Sequence, residues 1–296
     1  MPRKPLGNTM QHYDDTSLTE IKKAYSELRF KYIDLTRDIF SFAYNMKNER
    51  AKEFLQQGVL RRLWLLYRCI ENIFDLFPPN RIERLSQDDR LNVEINLHAF
   101  LINIYGIIDN AALALAYEND LVGDKSKGKF DPKKINLFEK KFQKKFNSQL
   151  RIYLNNKTTQ QWYKEYAKNY RDALAHRIPP YIPPAALSDE QSQKFKKLDQ
   201  EIERSTKEGN FEKASELQDL QEKLGRSNPL FVHSFSEKAK FMYLHPQLIA
   251  DFATIEELLK ILISEFYCKC KKKMRKQRSM ISTLVTQIRH IFNFGI

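Results

Sequence analysis

The scarcity of glycine is the feature that most constrains the fold of this chain. Only 8 of its 296 residues are glycine, while 50 are lysine or arginine and 37 are aspartate or glutamate. Proteins rich in sheet need glycine at their many tight turns, whereas long charged helices need little of it. The hydrophobic residues, 42% of the chain, are sufficient for a core. We therefore expect an all-α fold, a helical bundle of about five core helices with room for one small β-hairpin over Leu230–Leu244.

Apolar residues recur every three or four positions in five segments, which is typical of helices buried on one face. These segments are Leu18–Lys47, Ala51–Phe77, Asp89–Glu118, a helix capped by Thr158 or Thr159, and a helix that follows His245-Pro246. The lysine-rich segment Lys125–Lys157 is predicted to hold a further helix that begins after Pro132. Prolines after Phe77 and after Ile178 mark two of the helix ends.

The most apolar segment, Phe100–Tyr117, raises the question of a membrane span. Asn103, Asp109 and Asn110 lie within it, and a lipid-facing helix tolerates such residues poorly. We expect a buried bundle helix and no membrane partner. Asn96 and the two asparagines recur every seven residues, so they share one face. That face either packs closely against another helix or lies near an active site.

The composition divides the chain into four parts. Residues 1–187 and 227–267 are predicted to form the bundle. Ser188–Arg226 is highly charged, with few apolar residues and a break at Gly209-Asn210, which favours a projecting helical hairpin. Its piece EGNFEKASELQDLQEKL resembles the short UVR-type hairpin, which implies contact with a protein partner, although a solvated hairpin fits equally well. Residues 268–296 are a basic tail with an amphipathic helix.

The segment YAKNYRDALAHRIPPYIPP carries the candidate chemistry. It places Arg171, Asp172 and His176 near the end of an amphipathic helix that stops before Pro179-Pro180. Arginine can neutralise a phosphate, and imidazole can move protons near neutral pH. Arg171 and His176 are about 140° apart on an ideal helix, so they do not share a face. Asp172, four residues before His176, is expected to lie over the imidazole and accept its N–H.

Arg171, Asp172 and His176 match the Arg, polar residue and His pattern of the HEPN superfamily. The match includes the flanking YRDALAHRIPPYIPP and the upstream helix with its central Asp109-Asn110. The chain resembles HEPN ribonucleases of one bacterial branch over residues 18–180 and 228–267. The more frequent residue after the arginine is Asn, and Asp172 departs from that.

The resemblance implies a helical bundle, a homodimer in which two motif copies meet, and metal-independent cleavage of RNA. It also implies a role beside the active site for Asp109 and Asn110. Enzymes of this kind include toxins and phage-defence effectors. The alternative is a non-catalytic helical module that binds nucleic acid or a protein. Within the chemistry itself, the alternative is that Arg171 pairs with Asp109 inside the bundle and His176 only ends a helix.

The net charge of +13 favours a polyanionic partner, and RNA is the expected one. The residues predicted to contact RNA are Arg177, Lys140, Lys141, Lys144, Lys145, Lys271, Lys272, Lys273 and Arg275. Neither a metal nor a cofactor is expected, because no ligand cluster or glycine-rich nucleotide loop is visible. Three cysteines without a disulfide framework favour a cytoplasmic location.

Overall fold

The computed structural model describes residues 12–233 and 241–265. The α-helices are α1 (Asp15–Tyr44), α2 (Glu49–Glu53), α3 (Arg61–Leu76), α4 (Gln87–Glu118), α5 (Lys140–Gln143), α6 (Ser148–Asn155), α7 (Lys157–Trp162), α8 (Lys168–His176), α9 (Asp189–Lys207), α10 (Phe211–Glu222) and α11 (244–265). Two π-helical segments, Phe54–Leu60 and Tyr163–Ala167, join α2 to α3 and α7 to α8. Short 3₁₀ turns cover Lys125–Lys127 and Pro132–Lys134. Strands β1 (Leu230–Phe231) and β2 (Met242–Tyr243) pair antiparallel.

The bundle therefore has five long core helices. They are α1, the continuous helix from α2 to α3, α4, the continuous helix from α7 to α8, and α11. The all-α prediction is confirmed. Leu28, Leu35 and Ile39 of α1 are at most 2% exposed, and each contributes on the order of 1.5–3 kcal/mol through burial. Tyr25 of α1 also stacks on Phe74 of α3 with ring centroids 4.0 Å apart. Apolar burial thus holds the helices together.

The asparagine stripe of α4 faces the helix from α2 to α3. Asn72 Nδ2 donates to Asn96 Oδ1 at 2.9 Å, and Arg62 Nη1 donates to Asn103 Oδ1 at 2.8 Å. Asn110 lies directly against Gly58, where an added Cβ would be 2.6 Å from the asparagine Nδ2. The structure therefore shows close helix packing on this stripe, with the polar groups paired across the contact.

Two local predictions were wrong. The segment Lys125–Lys157 does not form a helix from Pro132. It forms two 3₁₀ turns and the short helices α5 and α6. The side chains of Asp131, Asn136 and Asn147 accept hydrogen bonds from backbone N–H groups two or three residues later, and such local bonds favour turns and new helix starts over one continuous helix. The helix after it is capped by Asn156, which accepts from Thr158 N at 2.9 Å, and not by a threonine.

Helices α9 and α10 form the predicted hairpin and carry a small core of their own, made by Leu198, Leu217 and Leu224. Gly209 between them has φ +76°, a left-handed conformation that favours glycine. The base of the hairpin is tied to the bundle, where Arg84 Nη1 donates to Gln221 O at 3.1 Å. The apolar cluster of the hairpin is therefore separate from the bundle core, and projection from the bundle stays a prediction.

Two buried titratable groups lie in the core around α11. Burial lowers the pKa of His245 to about 4, although its Nε2 lies 2.6 Å from Phe77 O, a contact that raises the pKa. Burial raises the pKa of Asp251 to about 7, although Trp162 Nε1 and Gln247 Nε2 both donate to its Oδ1 at 2.7 Å. Burial thus shifts both pKa values in the direction that favours the neutral form of each group.

Candidate active site

The motif residues lie on α8, whose packing face is buried and whose last residue is exposed. Tyr170 and Ala173 are buried against the core, while His176 is exposed as the final helical residue. The backbone turns extended at Arg177, whose N–H still bonds Ala173 O at 3.0 Å. Helix α8 thus ends at the predicted place, ahead of the two prolines.

Arg171 is held against α4 with 29% of its side chain exposed. Its guanidinium carbon lies 4.3 Å from the centroid of the Tyr105 ring, and its Nη1 lies 3.1 Å from Asp172 Oδ1. Partial burial works against the cation, but the hydrogen bond with Tyr105 and the negative charges nearby leave the pKa of Arg171 raised. The site therefore presents a permanent positive charge with a defined orientation.

Asp109 lies on α4 one turn after Tyr105 and faces the same site. Burial raises its pKa to about 6, while the charges of Arg171 and Arg62 hold it lower than burial alone would. Within the described part of the chain, the carboxylate at ion-pair distance from Arg171 is that of Asp172, and Asp109 forms no such pair with it. The interpretation in which Arg171 pairs with Asp109 inside the bundle is therefore wrong.

The expected contact between Asp172 and His176 is also absent from the described residues. Asp172 turns toward Arg171, because the permanent charge of the guanidinium attracts the carboxylate. No hydrogen bond to the side chain of His176 is found in residues 12–233 and 241–265, and the ring is open to solvent. Asp172 thus positions Arg171, and His176 is available to a ligand.

A pair of tyrosines, the half-buried Tyr105 and the buried Tyr163, supports the site. Tyr105 Oη lies 3.3 Å from Tyr163 Oη, and Asn136 Nδ2 donates to Tyr163 Oη at 3.0 Å. The Phe138 ring stacks on the Tyr163 ring at 3.7 Å. Tyr163 begins the π-helical segment, a rare geometry that is frequent at functional sites. The hydroxyl of Tyr163 thus supports that of Tyr105, a contact between two helices that the sequence alone does not show.

The chain that leaves α8 is anchored on both sides. Arg177 is exposed, and its Nη2 donates to Asn169 O at 2.9 Å. Farther along, His98 Nε2 contacts Pro180 O, and Ile182 N donates to Glu94 Oε1 at 3.0 Å. The segment after His176 therefore runs along α4, which keeps the end of α8 in place.

The other predicted site residues are distributed differently. Lys140, Lys141, Lys144 and Lys145 are all exposed, while Phe142 and Phe146 beside them are buried anchors. Lys271, Lys272, Lys273 and Arg275 lie outside the described residues. Asn110 faces Gly58 and not Arg171, because it is one position, about 100° on the helix, beyond Asp109.

No family model, curated protein or solved structure matches this chain. The site is therefore interpreted from its own geometry. Residues 12–233 and 241–265 contain no group of three His, Cys, Asp or Glu side chains that could hold a metal ion. Among the described helices α4 alone is long and apolar enough to cross a bilayer, but 61% of its most apolar window is buried inside the bundle. The site offers two groups to a ligand: the exposed imidazole at the end of α8, and, five residues earlier on the same helix, an arginine oriented by Tyr105 and Asp172.

Proposed function

We propose that this protein is an endoribonuclease of the HEPN type that cleaves RNA without a metal ion. One observation carries the proposal: α8 ends in an exposed imidazole, His176, less than two turns after an arginine that Tyr105 and Asp172 hold in one orientation. An oriented cation can bind a phosphate and stabilise the charge that develops on it, and the imidazole can transfer protons.

In the proposed reaction, the ribose 2′-oxygen attacks the adjacent phosphorus and the bond to the 5′-oxygen breaks. His176 takes the proton from the 2′-hydroxyl, and Arg171 stabilises the phosphorane oxygens. The products are a 2′,3′-cyclic phosphate and a 5′-hydroxyl, which needs a proton as it leaves. In a dimer with two motifs in one cleft, the second His176 can donate that proton. DNA is spared because it lacks the attacking hydroxyl.

The proposal is tested by cleavage of RNA in the presence of a metal chelator. His176→Ala and Arg171→Ala should each lower the rate by roughly 10²–10⁴-fold, since each removes one catalytic contribution. Asp172→Asn should lower it much less, because the amide oxygen can still accept from Arg171. Product ends are read by mass spectrometry, and circular dichroism checks that each variant is folded.

Arg226→Ala is the matched control, because Arg226 also stands a few residues before a histidine, His233, and its side chain is exposed. Its activity should equal that of the parent. Cleavage at the parental rate by both motif variants would show that the nuclease activity lies elsewhere.

A non-catalytic RNA-binding or protein-interaction module is the second candidate. It is favoured by the acidic groups around Arg171. The ion pair with Asp172 and the nearby charge of Asp109 together offset part of the positive charge that Arg171 would offer to a reacting phosphate. A parent protein that binds RNA but cuts none of a varied set of transcripts would establish this second candidate.

A further inference from the structure

A solvent-open cavity of about 470 Å³ lies between α4 and the helix from α2 to α3. Its polar lining includes Arg50, Gln57, Arg61, Arg62, Asn103 and Asn110, and we call this set the arginine pocket. Three guanidinium groups and three side-chain amides around one opening form a surface rich in hydrogen-bond donors.

The charges of the arginine pocket are not balanced. Glu53, which also lines the cavity, pairs with Arg50 at 2.5 Å. Arg61 Nη1 contacts only the neutral Gln57 Oε1, at 3.5 Å, and Arg62 Nη1 binds the neutral Asn103 Oδ1. Within residues 12–233 and 241–265, neither Arg61 nor Arg62 has a carboxylate at ion-pair distance. Neither guanidinium is in a direct ion pair, although the charge of Arg62 acts on Asp109, so both groups can bind an anion.

The guanidinium of Arg62 packs over a glycine of α4. A Cβ on Gly106 of α4 would lie 2.6 Å from the guanidinium carbon, so only glycine lets Arg62 lie flat on that helix. The hydrogen bond to Asn103 fixes one end of the guanidinium and leaves its other N–H groups for a ligand. A preorganised cation of this kind loses little entropy when it binds.

The arginine pocket and the motif lie on opposite sides of one face of α4. Arg62 covers Gly106 and Arg171 covers Tyr105, and the charges of both arginines act on Asp109. On an ideal helix, Tyr105 and Gly106 lie about 40° and 60° to either side of Asp109. An RNA strand that crosses this face of α4 would contact Arg171 first and Arg62 next.

We infer that the arginine pocket binds a second phosphate of the RNA strand whose reacting phosphate lies at Arg171. The inference rests on the proposed function. Guanidinium groups in a fork suit phosphate oxygens, and the net charge of +13 favours a polyanion over an acidic peptide with few charges. Arg171 and Arg62 contact adjacent residues of α4, Tyr105 and Gly106, so the two phosphate contacts lie on the same helix.

The test measures binding separately from cleavage. In a His176→Ala background, a labelled single-stranded RNA is titrated with protein and followed by fluorescence anisotropy at several salt concentrations. Arg61→Gln should weaken binding by about 3–30-fold, and each lost phosphate contact should reduce the logarithmic salt slope by about 0.7. Arg37→Gln, which removes an exposed charge from α1, should bind like the background.

Arg61 is exposed and makes one weak contact, so loss of binding in Arg61→Gln cannot be attributed to misfolding. Arg62→Gln should show the same loss, with folding checked by its thermal transition. A dinucleotide with a single phosphate should lose no affinity in either variant. Unchanged RNA affinity in both variants overturns the inference, and so does a pocket that prefers AMP or an acidic peptide to the longer RNA. If the parent protein does not cleave RNA but Arg61→Gln still weakens RNA binding, the proposed nuclease function is wrong and the arginine pocket remains an RNA-binding site.

Discussion

At the scale of single residues, two buried groups couple stability to pH in opposite directions. Asp251 has its pKa raised from 3.8 to about 7, so its contribution to stability is complete below pH 3.8 and is lost as pH rises to about 7. His245 has its pKa lowered from 6.5 to about 4, so its contribution is complete above pH 6.5 and is lost as pH falls to about 4. Between pH 4 and 6.5 the two effects offset each other.

Asp251→Asn should remove the contribution to stability that decreases as pH rises. The asparagine oxygen can still accept from Trp162 and Gln247, which both donate to Oδ1, while the amide nitrogen replaces the hydroxyl of the neutral acid. The free energy of unfolding of the variant should then rise with pH between 4 and 6.5 more steeply than that of the parent. The difference in slope is about 1 kcal/mol per pH unit.

Urea unfolding at several pH values measures this slope, and Asp219→Asn on the exposed side of α10 is the control. Parallel curves for the Asp251 variant and the parent would contradict the assignment of Asp251 as a buried neutral acid.

At the scale of elements, the contact of the π-helical segment Phe54–Leu60 with α4 depends on Gly58. Alanine normally favours a helix over glycine by about 1 kcal/mol. At Gly58 its Cβ would lie 2.6 Å from Asn110 Nδ2, so the two helices would have to separate or Asn110 would have to move. The steric effect opposes the helix propensity.

We expect Gly58→Ala to lower the free energy of unfolding by about 1–3 kcal/mol, as overpacking does. Adding Asn110→Ala should restore most of the loss, because the side chain in the way is then gone. Thermal or urea unfolding of the two single variants and the double variant forms a double-mutant cycle. Additive losses in the double variant would show that the two residues do not meet.

At the scale of the whole molecule, the outward face of α4 is unusually apolar for a surface. Leu91, Ile95 and Ile102 are 54%, 55% and 40% exposed, and their spacing places them on one stripe. The same stripe continues to Asp109, and the segment that follows His176 is anchored to α4 beside it. An exposed apolar stripe next to a candidate active site is typical of an interface.

A homodimer that brings two α8 ends into one cleft should bury this stripe. Ile95→Glu should therefore shift the protein to monomer at micromolar concentration and lower RNA cleavage, since a two-fold interface repeats the charge on both sides. Analytical ultracentrifugation measures the assembly. Phe30→Glu, at a position 71% exposed on α1, should leave the dimer intact. Dissociation by Phe30→Glu alone would place the interface on α1.

The sequence by itself determined the helical class and most helix positions, because these depend on local periodicity and on proline. The third helix, predicted as Asp89–Glu118, is observed as Gln87–Glu118, and the motif helix ends at His176 before its two prolines. Turns governed by single polar side chains were harder to predict. Asn156 and not a threonine caps the motif helix, because several neighbouring residues compete for that role.

Only the tertiary structure decided which partners the charged groups have. The spacing along α8 predicted that Asp172 would contact the imidazole of His176. In the fold, Arg171 packs on Tyr105 of α4, and Asp172 pairs with Arg171 instead. The arginine pocket likewise forms where Arg62 meets Gly106, residues 44 positions apart. Spacing along one helix shows which residues share a face. The groups that face it come from other helices, and the packing of the whole core determines where those helices lie.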